Sequence, residues 1–377
     1  MPAANLTERR HSREGRYKKM KRRALKRAAI AAGVLTASIA ILLALFYGNE
    51  LRSLRSLQKL DDYPMYAMTY YGDYGFDDFL SVGAKSDAEI EQFVTKRLLK
   101  GLPIDLGITG AGCTAFVAGN PDGDIWFARN FDFDYSPSLI VQTKPKNGYA
   151  SISTVNLTFA GYSKDRLPQG LMRSFLTLAA PYLPFDGMNE KGLAVALLAV
   201  PEVQRSNDPG KITLNTTTAI RLMLDKAATI DEAIALLREY NLYFSGGITC
   251  HYLLADQSGN AVIAEFWDGG VQVVDENVAS NFVAYNGLNI GEGYTEFERY
   301  DTVKSTLAAQ GGVLTEAQAT ELLAEVGVYH EGSDRLQWSV LYNLTSFDAM
   351  FFAHRNTENI HTMRMQPYWL PWVSHAP

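Results

Sequence analysis

The spacing of hydrophobic positions changes several times along this chain. Ala28 to Tyr47 is a run of twenty residues without a charge. A helix of that length crosses the hydrocarbon core of a bilayer, so the run predicts a transmembrane helix. Leu51, Leu54, Leu57 and Leu60 then recur at every third position, which suggests a short helical stalk. An aromatic-rich stretch follows from Tyr63 to Phe79, and Ser86-Asp-Ala-Glu89 has the form of a capping box opening a helix to about Leu99. From Cys113 the period drops to two. Alternating β-branched and aromatic residues flank Asn120-Pro-Asp-Gly123, a turn cluster, and predict a hairpin with strands at 113–119 and 124–130. Further strands are expected at 138–143, 150–159, 193–198, 249–255, 261–267 and 272–274, with a last hairpin from 336–344 and 349–353. Helices are expected at 174–180, 217–227, 230–240, 296–309 and 316–326. Strand pairs alternating with helix pairs imply an α+β domain of sheets covered by helices, without fixing the order of the layers.

Charge changes the picture at the amino terminus. Residues 1–27 hold eleven Lys or Arg against Glu8 and Glu14. Such a block ahead of an apolar run stays cytoplasmic, which places the rest of the chain outside. A nucleic-acid patch is disfavoured because the apolar run follows at once. A cleaved signal peptide is disfavoured by the long apolar core and by the lack of an Ala-x-Ala site before Tyr47 or Gly48. The organisation expected is a basic cytoplasmic tail (1–27), a retained membrane anchor (28–47), a stalk and propeptide-like segment (48–112) and a catalytic domain (113–377). The whole chain has 35 basic against 41 acidic residues, so the part beyond the tail is clearly acidic. That argues against nucleic acid as a partner and against strong docking to anionic lipid. An amphiphilic substrate arriving from the membrane side remains compatible with it.

With only Cys113 and Cys250, no disulfide framework is expected. Cys113 follows the small pair Ala111-Gly112 at the head of the hairpin, a layout suggesting a nucleophile made by cutting the chain. The return strand brings Arg129 and Asp132 back beside it. Amide hydrolysis needs a nucleophile, a proton acceptor and donors for the oxyanion. An N-terminal cysteine supplies the first two, because a free α-amine with a pKa of roughly 7.7 to 8.0 can take the thiol proton and return it. A neighbouring cation such as Arg129 favours the thiolate. Cys250 and His251 are adjacent, but neighbours on a strand face opposite ways, which disfavours a thiol–imidazole pair. No His/Cys cluster has zinc spacing and no glycine-rich phosphate loop follows a strand, so no cofactor is expected.

These words have a family likeness. Cys113-Thr114 and Arg129-Asn130-Phe131-Asp132 are followed by Asp186-Gly-Met-Asn-Glu-Lys-Gly-Leu-Ala-Val195, Leu254-Ala-Asp-Gln-Ser-Gly-Asn-Ala-Val-Ile-Ala-Glu265, Ala279-Ser-Asn281-Phe and Glu298-Arg299-Tyr300. Their order resembles the N-terminal nucleophile (Ntn) hydrolases of the choloylglycine hydrolase group, which includes bile salt hydrolases, penicillin V acylases, acid ceramidase and the N-acylethanolamine amidase. The resemblance implies a four-layer αββα sandwich and a Cys113 freed by self-cleavage. In line with it, Asp132 is expected to accept from the α-amine and Asn281 to donate to the oxyanion. Arg299 is expected to hold charge near the leaving group or the thiolate. Bile salt hydrolases carry an Asn shortly after the Gly-Leu word where this chain has Ala199, which points away from bile salts. Phe133, Tyr135, Phe159 and Tyr162 are candidates for an acyl pocket, and segment 48–112 for the rim of its entrance, as the small pro-derived chain is in acid ceramidase. The function expected is a membrane-anchored, extracytoplasmic hydrolase of small amphiphilic N-acyl amides working through a thioester on Cys113. The rivals are an acyltransferase using the same thioester, an unprocessed binding protein on the same fold, and an enzyme using Cys250 and His251.

Overall fold

The computed structural model describes residues 4–101, 104, 112–291, 293, 295–330 and 333–365, with backbone alone at 4–15, 18, 39–46, 330, 333 and 334. The stretch 105–111, with Ala111 of the expected cut site, lies outside the described residues. The chain divides into two compact units, 1–51 and 52–377. The first belongs to one helix, Ala4–Ser56. Its described side chains include exposed Ile30, Val34 and Leu35. Among the described residues no helix is long and apolar enough to cross a membrane. The expected span at 28–47 therefore has no support from the structure, and the side chains of its most apolar part, 39–46, are not among those described. The stalk helix ends at Ser56, and Gln58–Asp61 is already a strand.

The second unit is built on two sheets. Among the described residues the larger has nine strands, in the order Gln58–Asp61, Met65–Thr69, Ser138–Thr143, Ser151–Asn156, Pro184–Asn189, Ala194–Ala199, Cys250–Ala255, Ala261–Trp267 and Gly270–Asp275. The smaller has six, in the order Val278–Ala279, Gly112–Gly119, Ile125–Asp132, Leu336–Asn343, Asp348–Ala353 and His361–Arg364. The strand alternation sorts the smaller sheet's side chains into two cores. Cys113, Ala115, Val117, Phe127, Phe131, Trp338 and Val340 join the core shared with the larger sheet. Phe116, Ala118, Trp126, Ala128 and Leu341 meet Val303, Leu307, Leu322 and Leu323 of the helices Thr295–Ala309 and Glu316–Glu325. On the far side, Asn189 ties the larger sheet to the helix Thr216–Lys226 by donating to the Leu224 carbonyl at 3.0 Å. Gly187 permits that approach, because a Cβ there would stand 2.7 Å from the Ile152 carbonyl oxygen and 2.8 Å from Leu224 Cδ1.

Helix starts follow the caps in the sequence. Ser86 accepts from Glu89 N at the head of Asp87–Arg97, although the Glu89 carboxylate caps Lys85 N instead of closing a full box. Thr315 and Gln318 form a reciprocal box on Glu316–Glu325. Two expectations shorten. The strand begun at Ser151 stops at Asn156, whose side chain accepts from Thr158 N and opens a 3-10 turn. The helix expected at 174–180 is a single α-turn, Gly170–Ser174, followed by a 3-10 segment Phe175–Tyr182 containing Pro181, which has no N–H to donate to an α-helical bond.

The segment ahead of Cys113 is part of this framework. Met65–Thr69 pairs in parallel with Ser138–Thr143. Tyr74 reaches into the interior, where its hydroxyl lies 2.8 and 2.7 Å from the two Asp225 carboxylate oxygens. Asp225 is also 3.2 Å from Arg221 Nη1, and Arg221 binds the hydroxyls of Ser151 and Ser153 at 2.8 and 3.0 Å.

Burial pushes the Asp225 carboxyl up from 3.8 to about 6, against the pull of Arg221 and Tyr74. The folded protein therefore holds this proton more tightly than the unfolded chain does. The resulting stability is fully present below about pH 4 and is lost as the pH rises toward 6. Asp225→Asn removes that dependence, so the variant's thermal midpoint falls less than the wild type's between pH 4 and 6.5. Parallel thermal melts across this range check the sign, and equal slopes would rule it out.

Candidate active site

The hairpin Gly112–Gly119/Ile125–Asp132 sets Gly112 opposite Asp132, Cys113 opposite Phe131 and Thr114 opposite Asn130. Pleating then sends Cys113 and Arg129 into the core between the sheets, while Thr114 and Asn130 face the outer helices. Asn130 has a framework task, donating to the Leu323 carbonyl at 2.6 Å and accepting from Ser339 at 2.7 Å. Arg129 has no exposed surface. Its Nη1 lies 2.9 Å from Asp186 Oδ2, and Nη2 donates to Cys113 Sγ at 3.6 Å and to the Leu197 carbonyl at 3.3 Å. Phe131 and Trp338 stack on each other beneath the guanidinium, whose carbon stands 4.7 Å from the Phe131 ring centre.

The backbone on either side of the Cys113 Cα is held by two residues more than 160 positions downstream. Cys113 N donates to Asn281 Oδ1 at 2.7 Å. Arg299 Nη1 donates to the Cys113 carbonyl at 2.7 Å and to Thr114 Oγ1 at 2.6 Å, and Nη2 donates to Asn281 Oδ1 at 2.9 Å. Asn281 Nδ2 donates to the Ala199 carbonyl at 2.7 Å. These partners fix the orientation of the amide, since two donors meet its oxygen and a carbonyl meets its nitrogen. In the continuous chain Asn281 thus acts as an acceptor for the Cys113 nitrogen, and one of its two amide N–H groups is engaged by Ala199. Asp132 lies beside the same stretch of backbone. Its Oδ1 accepts from Val328 N at 2.7 Å, its Oδ2 lies 3.5 Å from Arg299 Nη1, and the residue it sits against is Gly112.

Burial raises the proton affinity of both acidic groups beside this bond. Burial pushes the Cys113 thiol up and Asp132 adds to this, while Arg129, Arg299 and the Ala199 N–H pull down without cancelling it. Burial likewise raises the Asp132 carboxyl, against Arg299, the Val328 N–H and Arg129. A cavity of about 440 Å³ opens at Gly112, Asp132, Asn281 and Arg299, with Ala199, Val200, Ile248, Thr249, Glu296 and Arg335 among its other walls. Cys113 is fully buried behind Gly112. The aromatic candidates for an acyl pocket fall elsewhere. Phe133 and Phe159 belong to a ring cluster with Phe131 and Phe185 in the core, Tyr162 bonds the Arg173 carbonyl, and neither these nor Tyr135 is among the residues lining this cavity.

Sequence reasoning missed Asp186. It was quoted within a motif without a role, yet it is the counter-ion of Arg129 and accepts from the Tyr342 hydroxyl at 2.7 Å. A charged residue inside an otherwise apolar strand was the available signal. Cys250 is buried next to Tyr252 with its thiol pushed up by burial, while His251 turns to Glu265, 2.9 Å away. The two do not form a thiol–imidazole pair. Among the described residues no cluster of His, Cys, Asp or Glu is arranged to hold a metal.

Comparison with known proteins places this geometry. Residues 113–311 match the model of the linear amide C-N hydrolases, choloylglycine hydrolase family. No curated protein matches the chain in sequence. Two variants of the conjugated bile acid hydrolase from Clostridium perfringens superpose with TM-scores of 0.52 and 0.51. Each is 17% identical, over 70% of this chain and 97% of theirs. Penicillin V acylase from Agrobacterium tumefaciens superposes with a TM-score of 0.46 at 16% identity, over 70% and 98%. At such identity the likeness to the bile acid hydrolase speaks for the fold, a mixed α+β architecture of the Ntn-hydrolase kind.

Breaking one side of the Arg129–Asp186 pair strands a carboxylate without water. Arg129→Met should lower unfolding stability by about 3–5 kcal/mol, and adding Asp186→Leu should recover much of that. Urea titration of both variants checks this; a single variant as stable as wild type would show that the pair carries no structural weight.

Proposed function

The chain belongs to the linear amide C-N hydrolases of the choloylglycine hydrolase family, and we propose that it cuts its own Gly112–Cys113 bond and then hydrolyses small amphiphilic N-acyl amides through a thioester on Cys113. The observation that carries this reading is the Gly112–Cys113 peptide itself, with its nitrogen on Asn281, the next carbonyl on Arg299 and the thiol beside Arg129. Before cleavage Cys113 N is an amide and cannot act as a base. We assign the thiol proton to Asp132, whose side chain packs against Gly112 and acts electrostatically on the thiol. The thiolate adds to the Gly112 carbonyl, the C–N bond breaks, and the new amine of Cys113 takes up a proton. Water then cleaves the thioester, leaving a Gly112 carboxylate and a free thiol.

The freed α-amine stays within reach of Asn281 Oδ1, which orients its lone pair toward the sulfur. In turnover the amine takes the thiol proton, the thiolate adds to the substrate carbonyl, and the ammonium protonates the departing amine. Water releases the acid in the second half. Removal of Gly112 from the cavity wall opens the way to Cys113. Apolar walls at Val200 and Ile248 beside polar ones at Thr249, Glu296 and Arg335 suit a substrate with both characters. Membrane anchoring and an extracytoplasmic site rest on the sequence alone, from the uncharged run 28–47 and the basic block before it. An alkaline wash that strips the uncut chain from membranes would remove that part of the proposal.

Intact-mass and N-terminal analysis of the detergent-extracted protein is the direct test. Wild type should yield a fragment beginning at Cys113, Cys113→Ala should remain whole, and Asp132→Asn should process about 100-fold more slowly. Processed wild type should release acid from N-acyl amides. Uncut wild type that hydrolyses amides would overturn the α-amine as base, and uncut, inactive protein would favour a binding role.

A further inference from the structure

Asn281 lies in a segment of short, irregular elements, yet it must place one oxygen against both Cys113 N and Arg299. Two attachments bracket it. Upstream, Val278–Ala279 pairs with Ala115 and Phe116 of the nucleophile strand. Downstream, the chain forms the two-residue strand Phe282–Val283 and then turns at Tyr285–Gly287, where Asn286 has a left-handed φ of 51°. At that turn a carboxylate from the other sheet takes hold. Glu265 Oε1 accepts from Ala284 N and Oε2 from Tyr285 N, each at 2.9 Å. Glu265 is 2% exposed, and His251, its cross-strand neighbour at 1%, donates Nδ1 to Oε1 at 2.9 Å.

We propose that Glu265, oriented by His251, is a positioning residue for the hydrolase. By gripping two consecutive amides three and four residues beyond Asn281, it fixes where the Asn281 side chain meets the Cys113 nitrogen. The inference rests on the proposed reaction. A buried carboxylate with three donors has one favoured geometry, because shifting the loop by an ångström would leave charge unpaired in the interior. Although burial works against the charge, the His251 contact and the Ala284 and Tyr285 N–H groups hold the Glu265 carboxyl below its usual range. A small displacement of Asn281 would turn the Cys113 amine away from its sulfur, slowing chemistry while leaving the substrate cavity walls in place.

The test compares the full-length protein with Glu265→Gln, which keeps shape but presents an NH₂ to one backbone donor. Amide hydrogen exchange reads the clamp directly and does not depend on activity. Exchange at Ala284 and Tyr285 should rise at least tenfold, with the strands 112–119 and 250–255 unchanged. Where the wild type processes and turns over, the variant's kcat should fall at least tenfold with KM within twofold. Glu265→Asp should recover part of kcat. A merely structural role would give parallel losses across every strand and no such split. Should Glu265→Gln fold poorly, His251→Gln, which leaves the carboxylate and both backbone bonds, should show a smaller change of the same kind. Unchanged exchange at 284–285 overturns the clamp. Raised exchange with undiminished kcat overturns its role in positioning Asn281. A wild type that neither processes nor hydrolyses refutes the reaction instead, while the exchange result still stands or falls by itself.

Discussion

An ion pair closed off from water lies between the two sheets, and the site is arranged around it. Arg129 and Asp186 come from facing strands, neither has exposed surface, and stacked Phe131 and Trp338 underlie the guanidinium. A cation in such a place is tolerated only while its partners stay where they are. Two sheets that each could slide are thereby held in one alignment at the point where Cys113 enters the core. The same guanidinium reaches the sulfur, so the element that fixes the sheets also favours a thiolate at Cys113.

The second constraint is the grip on the peptide bond ahead of that sulfur. Asn281 and Arg299 occupy the nitrogen of Cys113 and the carbonyl after it, and Asp132 stands against Gly112. Rotation about this stretch of backbone would break several charge-assisted bonds together. On the proposed reaction, preorganisation of this kind would serve two steps in succession, because the contacts that orient an amide nitrogen before cleavage would orient an amine after it.

What the sequence revealed depends on whether the signal was local. The hairpin from Cys113 to Asp132 was legible because alternation and a turn cluster specify both strands and their register, and the helix start at Ser86 was legible because a cap acts over three residues. The parallel pairing of Met65–Thr69 with Ser138–Thr143 was not, since no turn joins parallel neighbours and nothing near either strand names the other. Site residues divided the same way. Cys113, Arg129, Asp132, Asn281 and Arg299 do converge, but their individual tasks depend on orientation. Which end of the Asn281 amide faces the cysteine is decided by Ala199 and Arg299, not by Asn281. Asp186 and Glu265 gave no local sign of their tasks because their partners lie far away in sequence. The aromatic residues offered for an acyl pocket were indistinguishable by composition from core, and core is where Phe133, Phe159 and Tyr162 pack.

The grip on Gly112–Cys113 also orders events in time. Arg299 and Asn281 are made long after the bond they hold, when the ribosome has added nearly two hundred more residues. If the bond is broken by its own cysteine, it stays intact on a nascent or misfolded chain and yields only once the distant helix and turn have docked. Maturation would then double as an inspection of the finished fold, passing only molecules whose last third has assembled onto their first.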